Sequence, residues 1–465
     1  MLKRVHTFSS NKVFLITIIL FTLTYSVYYF FTLKIWEKRE VFVSDQFLYY
    51  SYLPAYFIEN DLTFNFIDNK IDNHYHYLWY ATNDGKKYIK MTMGVAFCQA
   101  PFFLIAHYIS PHFGYQSNGF TFPYQLAFCF SPIFYALVGL IFIFKILRKY
   151  YSVFIAGITT LLIYFATNIF ACIFINPGLS HSYGFLFMAA SLFLFIKWIA
   201  KPNYLNSIIL GICLGMLILI RPTNGLILIL LGSYLASNCK KLSKLFEFIK
   251  SNWKFIALIV LFCFLVFIPQ MLYWKKISGS YLFYSYHDSN SVERFYFNIK
   301  NVFNGLFGFR KGWFIYTPVM ILAVFGFFLM NKTEKELKWP ILIFLLVFIL
   351  ITLSWWCWWY GGSFGARSFI EVYALMVIPL AAFIRYINSS TLKRIVFFPT
   401  LVFLCYLNIF QTNQYEHNLL HYDSMTKEAY FAVFLKKKFP DNYIKLIQQP
   451  DYDNAKKGLP ERISN

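Results

Sequence analysis

Asp45 is the acid of Phe42-Val-Ser-Asp-Gln-Phe-Leu-Tyr-Tyr-Ser-Tyr-Leu-Pro54, a segment otherwise rich in aromatic side chains. A carboxylate beside Phe47, Tyr49, Tyr50 and Tyr52 is partly desolvated, which raises its pKa and suits it to act as a general base. Ser44 or Asp45 ahead of the amphipathic run 46–58 also fits a helix N-cap, and spacing alone leaves both roles open. The other candidates are cations suited to hold a phosphate. Lys90, in Tyr88-Ile-Lys-Met-Thr-Met-Gly94, sits where a lipid phosphate would lie or where a lysine would snorkel. Arg221, in Leu219-Ile-Arg-Pro-Thr-Asn224, follows a long apolar run with no basic neighbour. An arginine so placed must pair or bind an anion. Arg367 closes Trp358-Trp-Tyr-Gly-Gly-Ser-Phe-Gly-Ala-Arg367, with Glu371 in reach for an i,i+4 ion pair. Arg310, in Gly308-Phe-Arg-Lys-Gly-Trp-Phe314, completes the phosphate-binding candidates.

A second group could shape a sugar or acceptor pocket: Tyr49, Tyr52, His181, Trp358 and Trp359. His181 lies in Asn176-Pro-Gly-Leu-Ser-His-Ser-Tyr-Gly184. A Pro-Gly break frees backbone groups, which a membrane tolerates only where protein or a water-filled cavity surrounds them. A satisfied structural histidine is the plainer alternative. Trp355, Trp356, Trp358 and Trp359 crowd the end of one apolar run. They read as an interfacial belt, as a stacking surface for a sugar ring, or as both. His74 and His76 lack a third ligand at a readable spacing, so no metal site is assigned. No cofactor motif of the G-x-G-x-x-G or Walker A type is present.

The elements that position these residues are membrane helices. The chain has 465 residues, 58% hydrophobic and 14% charged, against about 45–50% and about 25% in a typical soluble domain. The first apolar run, 13–33, would extend about 31 Å as a helix, enough to cross a hydrocarbon core. It exceeds a signal-peptide core and lacks a small-x-small cleavage site after it, so it reads as a retained helix. All but one of the eight cysteines fall in apolar runs, without a disulfide or metal pattern. The net charge of +21 does not point to nucleic acid, because much of it lies in small clusters between spans.

Eleven spans are expected, at 13–33, 124–146, 153–173, 182–199, 205–220, 223–237, 255–273, 313–330, 340–358, 368–386 and 395–411. The short loops between alternate pairs, together with the N-terminus, carry nineteen Lys and Arg against three acids, Glu247, Glu334 and Glu336. That asymmetry places the N-terminus in the cytoplasm and the C-terminus outside. The run 91–109 would reverse every later loop if it spanned. It is therefore expected at the outer interface or entering partway, consistent with its Gln99 and Pro101. The outer segments are then a long first loop, 34–123, with amphipathic and interfacial helices, a second loop, 274–312, and a tail, 412–465. The fold class is an all-α multi-pass membrane protein, with residues 1–411 as the membrane module.

In this order the features resemble the membrane-embedded C-type glycosyltransferase superfamily, most closely its protein O-mannosyltransferase and aminoarabinose-transferase branch. The matching pieces are a single helix, Ser44-Asp45 opening a long outer loop, and Lys87-Tyr88 leading to Pro101. Then come Leu-Ile-Arg-Pro-Thr-Asn at 219–224, Gly-Trp-Phe-Ile-Tyr-Thr-Pro at 312–318 and the 358–367 string. The resemblance implies inverting transfer of a sugar from a polyprenyl-phosphate donor at the extracytoplasmic face of a bacterial inner membrane, with Asp45 as base. Asp45 is followed by Gln46 where the protein mannosyltransferases carry an acidic pair, and the acceptor stays open between protein, lipid and glycan. A lipid-linked-sugar flippase or transporter would show inverted repeats and midplane helix breaks. A glycan polymerase or ligase would place its major loop late in the chain. Neither pattern is present.

Overall fold

Apolar runs bounded by Ser, Asn and Pro become helices here, because a backbone inside lipid can satisfy its polar groups only along its own helix. The computed structural model describes residues 2–66, 80–81, 87–286, 293–331 and 334–459, and is 71% helical. His74 and His76 lie outside the described residues. Among the described residues, six helices are long and apolar enough to cross a membrane: Lys12–Lys38, Phe122–Leu147, Ser180–Ala200, Trp253–Ser278, Lys335–Leu353 and Thr391–Glu416. Shorter apolar helices accompany them at Gly94–Ile109, Val153–Phe165, Tyr204–Ile220, Val319–Leu329 and Tyr373–Ile387. Starts are capped as the sequence signals suggest: Asn203 accepts from Asn206 N at 2.9 Å and Ser390 from Lys393 N at 3.3 Å.

Several boundaries differ from the expected spans. The run 153–173 is two helices, Val153–Phe165 and Ile169–Phe174. Asn408 repairs the break by donating to the carbonyls of Phe165 (3.0 Å) and Thr167 (2.8 Å). This is how a polar side chain rescues freed backbone groups inside a bundle. The helix expected over 340–358 stops at Leu353, and the next begins at Tyr373. The intervening loop turns through left-handed backbone at Tyr360, Gly361 and Gly365. Trp253–Ser278 and Thr391–Glu416 run several residues further than expected, so the second outer loop and the tail begin later.

Two close approaches set the scaffold around the site. Gly211 and Gly215 let Tyr204–Ile220 lie against Trp253–Ser278. A Cβ there would stand 2.6 Å from the Ile259 carbonyl oxygen and 2.8 Å from that of Cys263, the close packing that small residues permit between membrane helices. Gly94 does the same for the helix Gly94–Ile109. Its Cβ would meet Ile220 N at 2.5 Å, so the start of that helix is pressed against the backbone beside Arg221. In the first loop, short helices at Ser44–Tyr50 and Tyr52–Phe57 bury Phe47, Leu48, Tyr50 and Tyr52. A two-stranded antiparallel pair, Tyr80–Ala81 with Lys87–Tyr88, leads to Lys90.

The tail folds back over the same end. Thr426 caps the helix Lys427–Val433, accepting from Ala429 N at 3.1 Å. Lys311, 2% exposed, donates to the carbonyls of Ser363 and Tyr422. It thereby ties the 358–367 loop to the tail.

Candidate active site

Three groupings of opposite charges meet at one cavity of about 550 Å³ at this end of the bundle, all but Glu371 among its lining residues. Each joins parts of the chain far apart in sequence. Arg367 Nη2 donates to Asp45 Oδ2 at 2.9 Å, across 322 residues. Lys90 Nζ lies 3.2 Å from Glu293 Oε1, across 203 residues. Arg221 Nη1 lies 3.4 Å from Glu371 Oε1, and His181 Nδ1 is 3.1 Å from the same oxygen. Glu371 is fully buried; a carboxylate so placed persists only when paired and hydrogen-bonded.

Local geometry explains each placement. Asp45 is in the first turn of Ser44–Tyr50, and Val43 rather than an acid or hydroxyl side chain occupies the cap position. The N-cap reading of Asp45 is therefore corrected: its carboxylate is turned to Arg367 instead. Ser44, immediately before it, has φ 48°. Such a left-handed non-glycine residue carries strain of about 1–3 kcal/mol of the kind held at functional sites. The raised pKa expected for Asp45 is also reversed. Burial pushes the carboxyl up, but the Arg367 guanidinium, with Lys90 beyond it, outweighs burial and holds it below the usual carboxylate range. The i,i+4 pairing of Arg367 with Glu371 does not form, because the residues between them make a 3₁₀ turn, Arg367–Phe369. The two side chains part to Asp45 and to Arg221.

Aromatic side chains line the same cavity: Trp274, Phe283, Tyr286, Phe295, Trp355 and Trp356. Lys90 Nζ stands 5.6 Å above the Tyr286 ring, Trp356 Nε1 donates to Glu293 Oε2 at 3.1 Å, and the Arg221 guanidinium covers Tyr360 at 5.4 Å. Next to Phe283 and Phe295 in sequence stand the exposed Leu282 (76%) and Phe297 (72%).

Of the residues singled out in the sequence, Asp45, Lys90, Arg221, Arg367, Tyr49 and His181 share this cavity. Four stand apart from its lining. Tyr52 is buried beneath it and donates to the Met91 carbonyl at 2.8 Å. Arg310 lies over the Trp359 ring at 5.6 Å and reaches the Gln448 carbonyl at 3.4 Å. Trp358 and Trp359 pack with Ala455 of the tail. These three hold the tail, whose Tyr452 does reach the cavity and donates to Asp423 at 2.9 Å. Glu293, Tyr286 and Tyr360 are cavity residues that sequence reasoning passed over. The isolated Arg221 called for either a pairing acid or a bound anion, and nothing in the spacing pointed to Glu371 as its partner. Among the described residues no three His, Cys, Asp or Glu side chains gather as a metal ion would require, and the flank of Asp45 is taken by a guanidinium.

No family model matches the chain, and no curated protein does. Among solved structures it is similar to the oligosaccharyltransferase of Archaeoglobus fulgidus in its apo form, with a TM-score of 0.51 and 15% identity. That match covers 95% of this chain and 60% of the other. The same enzyme in complex with Zn and sulfate aligns at a TM-score of 0.46 and 13% identity, over 82% of this chain and 50% of that one. The chain thus spans 60% of the length of the apo oligosaccharyltransferase it matches. At this identity the likeness is one of fold alone, a helical architecture shared with that oligosaccharyltransferase.

Proposed function

We propose that this protein is a membrane glycosyltransferase that moves a sugar from a polyprenyl-phosphate donor to an acceptor hydroxyl at the outer face of a bacterial inner membrane. The observation that carries the reading is the meeting of Asp45 with Lys90, Arg221 and Arg367 in one cavity that aromatic side chains also line. A phosphate-linked lipid needs both halves. Its phosphate calls for fixed cations, and its prenyl chain for apolar surface, for which Phe283 and Phe295 in the cavity and the exposed Leu282 and Phe297 beside them in sequence are the candidates.

In the proposed reaction the acceptor oxygen attacks the anomeric carbon while Asp45 takes its proton. The bond from that carbon to the phosphate oxygen breaks, and the electron pair leaves with polyprenyl phosphate. Arg367, Arg221 and Lys90 are the preorganised charges that stabilise the anion as it develops. A single displacement inverts the anomeric centre and needs no enzyme nucleophile. Tyr49 and His181 flank Asp45 on the acceptor side. The eleven-span topology, with N-terminus inside and tail outside, would place this cavity on the extracytoplasmic surface.

The test is transfer of radiolabelled sugar from defined polyprenyl-phosphate donors in proteoliposomes, wild type beside Asp45→Asn. Wild type is expected to release polyprenyl phosphate, and Asp45→Asn to release at least about a hundredfold less, the scale of a lost general base. Equal turnover by both would remove Asp45 as base. Intact donor crossing the bilayer, with no sugar released, would establish a flippase.

A further inference from the structure

The end of the bundle remote from the cavity carries a second feature. Ile227–Cys239 runs away from Arg221, and Trp253–Ser278 runs back to Trp274 in the cavity wall. The turn between them is a separate helix, Leu242–Ser251, none of whose residues is buried. Leu242 (67% exposed), Phe246 (63%) and Ile249 (39%) lie at i, i+4 and i+7, with half-buried Leu245 completing the stripe. Phe248 turns inward instead, edge-on to Trp198 at 5.8 Å. The polar side is basic: residues 240–254 contain Lys240, Lys241, Lys244, Lys250 and Lys254 against Glu247 alone. Lys240, Lys241 and Lys244, with Asn238, Ser251 and Asn252, line a cavity of about 640 Å³ at the elbow, and Glu247 is its one acid.

We propose that this elbow is a binding site for the phosphate headgroup of an anionic phospholipid, with helix Leu242–Ser251 lying in the membrane interface. Lysines that served only to orient the chain would need neither a cavity nor an amphipathic helix. An apolar stripe beside a basic face is the design of a helix that lies on an anionic bilayer. The stripe continues into exposed Trp253, the first residue of a spanning helix, so a headgroup in the cavity would have its acyl chains already against apolar protein. A water-soluble phosphate would use only the cationic half.

The test is native mass spectrometry of the full chain released from nanodiscs of phosphatidylglycerol or phosphatidylcholine. Wild type is expected to retain phosphatidylglycerol at least tenfold over phosphatidylcholine. Lys240→Gln/Lys241→Gln/Lys244→Gln should lose that preference, and Phe246→Ser should weaken retention with all charges intact. The corresponding triple Lys→Arg variant should keep it, which separates headgroup binding from a folding defect. Undiminished phosphatidylglycerol retention in both the Gln triple and Phe246→Ser would overturn the proposal. So would equal retention of phosphatidylcholine, or displacement of the lipid by glycerol 3-phosphate in solution.

Discussion

Asp45 is useful as a base only while ionised, and the structure ties that state to Arg367. Because its carboxyl sits below the usual range in the folded protein, the pair's stabilisation is fully present above the pKa of an unfolded aspartate. It is lost as pH falls through the lowered folded value. Arg367→Ala removes the main opposing charge and leaves burial, so the acid limb of the pH–rate profile should move to higher pH. A limb that stays in place would show that Lys90 suffices. Glu371→Gln leaves Arg221 beside a neutral partner at a fully buried position. Breaking such a pair should lower unfolding stability by about 3–5 kcal/mol, measured as a denaturation midpoint in detergent. An unchanged midpoint would mean the Arg221 charge is already solvated through the cavity. At this scale the sequence was informative where charge was out of place: Lys90, Arg221 and Arg367 stand at the ends of apolar runs. It was mute on Glu293, whose partner Lys90 is 203 residues away. The Trp358-Trp359 pair misled because an interfacial belt, a sugar platform and a tail-packing cluster share one composition.

Among the elements, the helix Gly94–Ile109 matters most, since its first residue abuts the backbone that carries Arg221. Gly94→Ala would drive a Cβ into Ile220 N, 2.5 Å away. Backbone cannot yield as a side-chain tip would, so a loss of about 1–3 kcal/mol is expected, with a looser cavity at Arg221. A thermal midpoint equal to wild type would show that the two helices separate freely. The loop that follows Leu353 was legible as a gap between the runs at 340–358 and 368–386, though it opens earlier than expected. Its anchoring was not legible. Lys311 is buried on carbonyls of that loop and of the tail, and burial pulls its pKa well below the usual lysine range despite Asp423 nearby. A lysine next to Arg310 in an outer loop gives no such sign in one dimension.

For the molecule as a whole, apolar run length carried the class of fold, and each of the six long helices overlaps a run read as a span. Length failed where short helices join through polar repairs, as at Asn408 beneath the 166–168 break. Hydropathy reports how greasy a segment is and cannot see a side chain that arrives from another helix. The placement of charge between spans remains the basis of the proposed orientation. Cysteine scanning would test it: thiol reagents that cannot cross the bilayer should label Ser251→Cys from the cytoplasmic side only, and Asn442→Cys from the outside only. Labelling from the reverse sides would invert the proposed topology.

The three groupings that meet at the cavity also impose an order in time. Arg221 emerges from the ribosome 150 residues before Glu371, an interval of roughly 8–30 s at about 5–20 residues per second. For that period a guanidinium at the edge of a finished helix has His181, 3.4 Å away in the folded protein, but lacks its carboxylate. The nascent bundle must therefore hold it against water, headgroups or the insertion machinery, and the cavity closes only when the last third of the protein arrives.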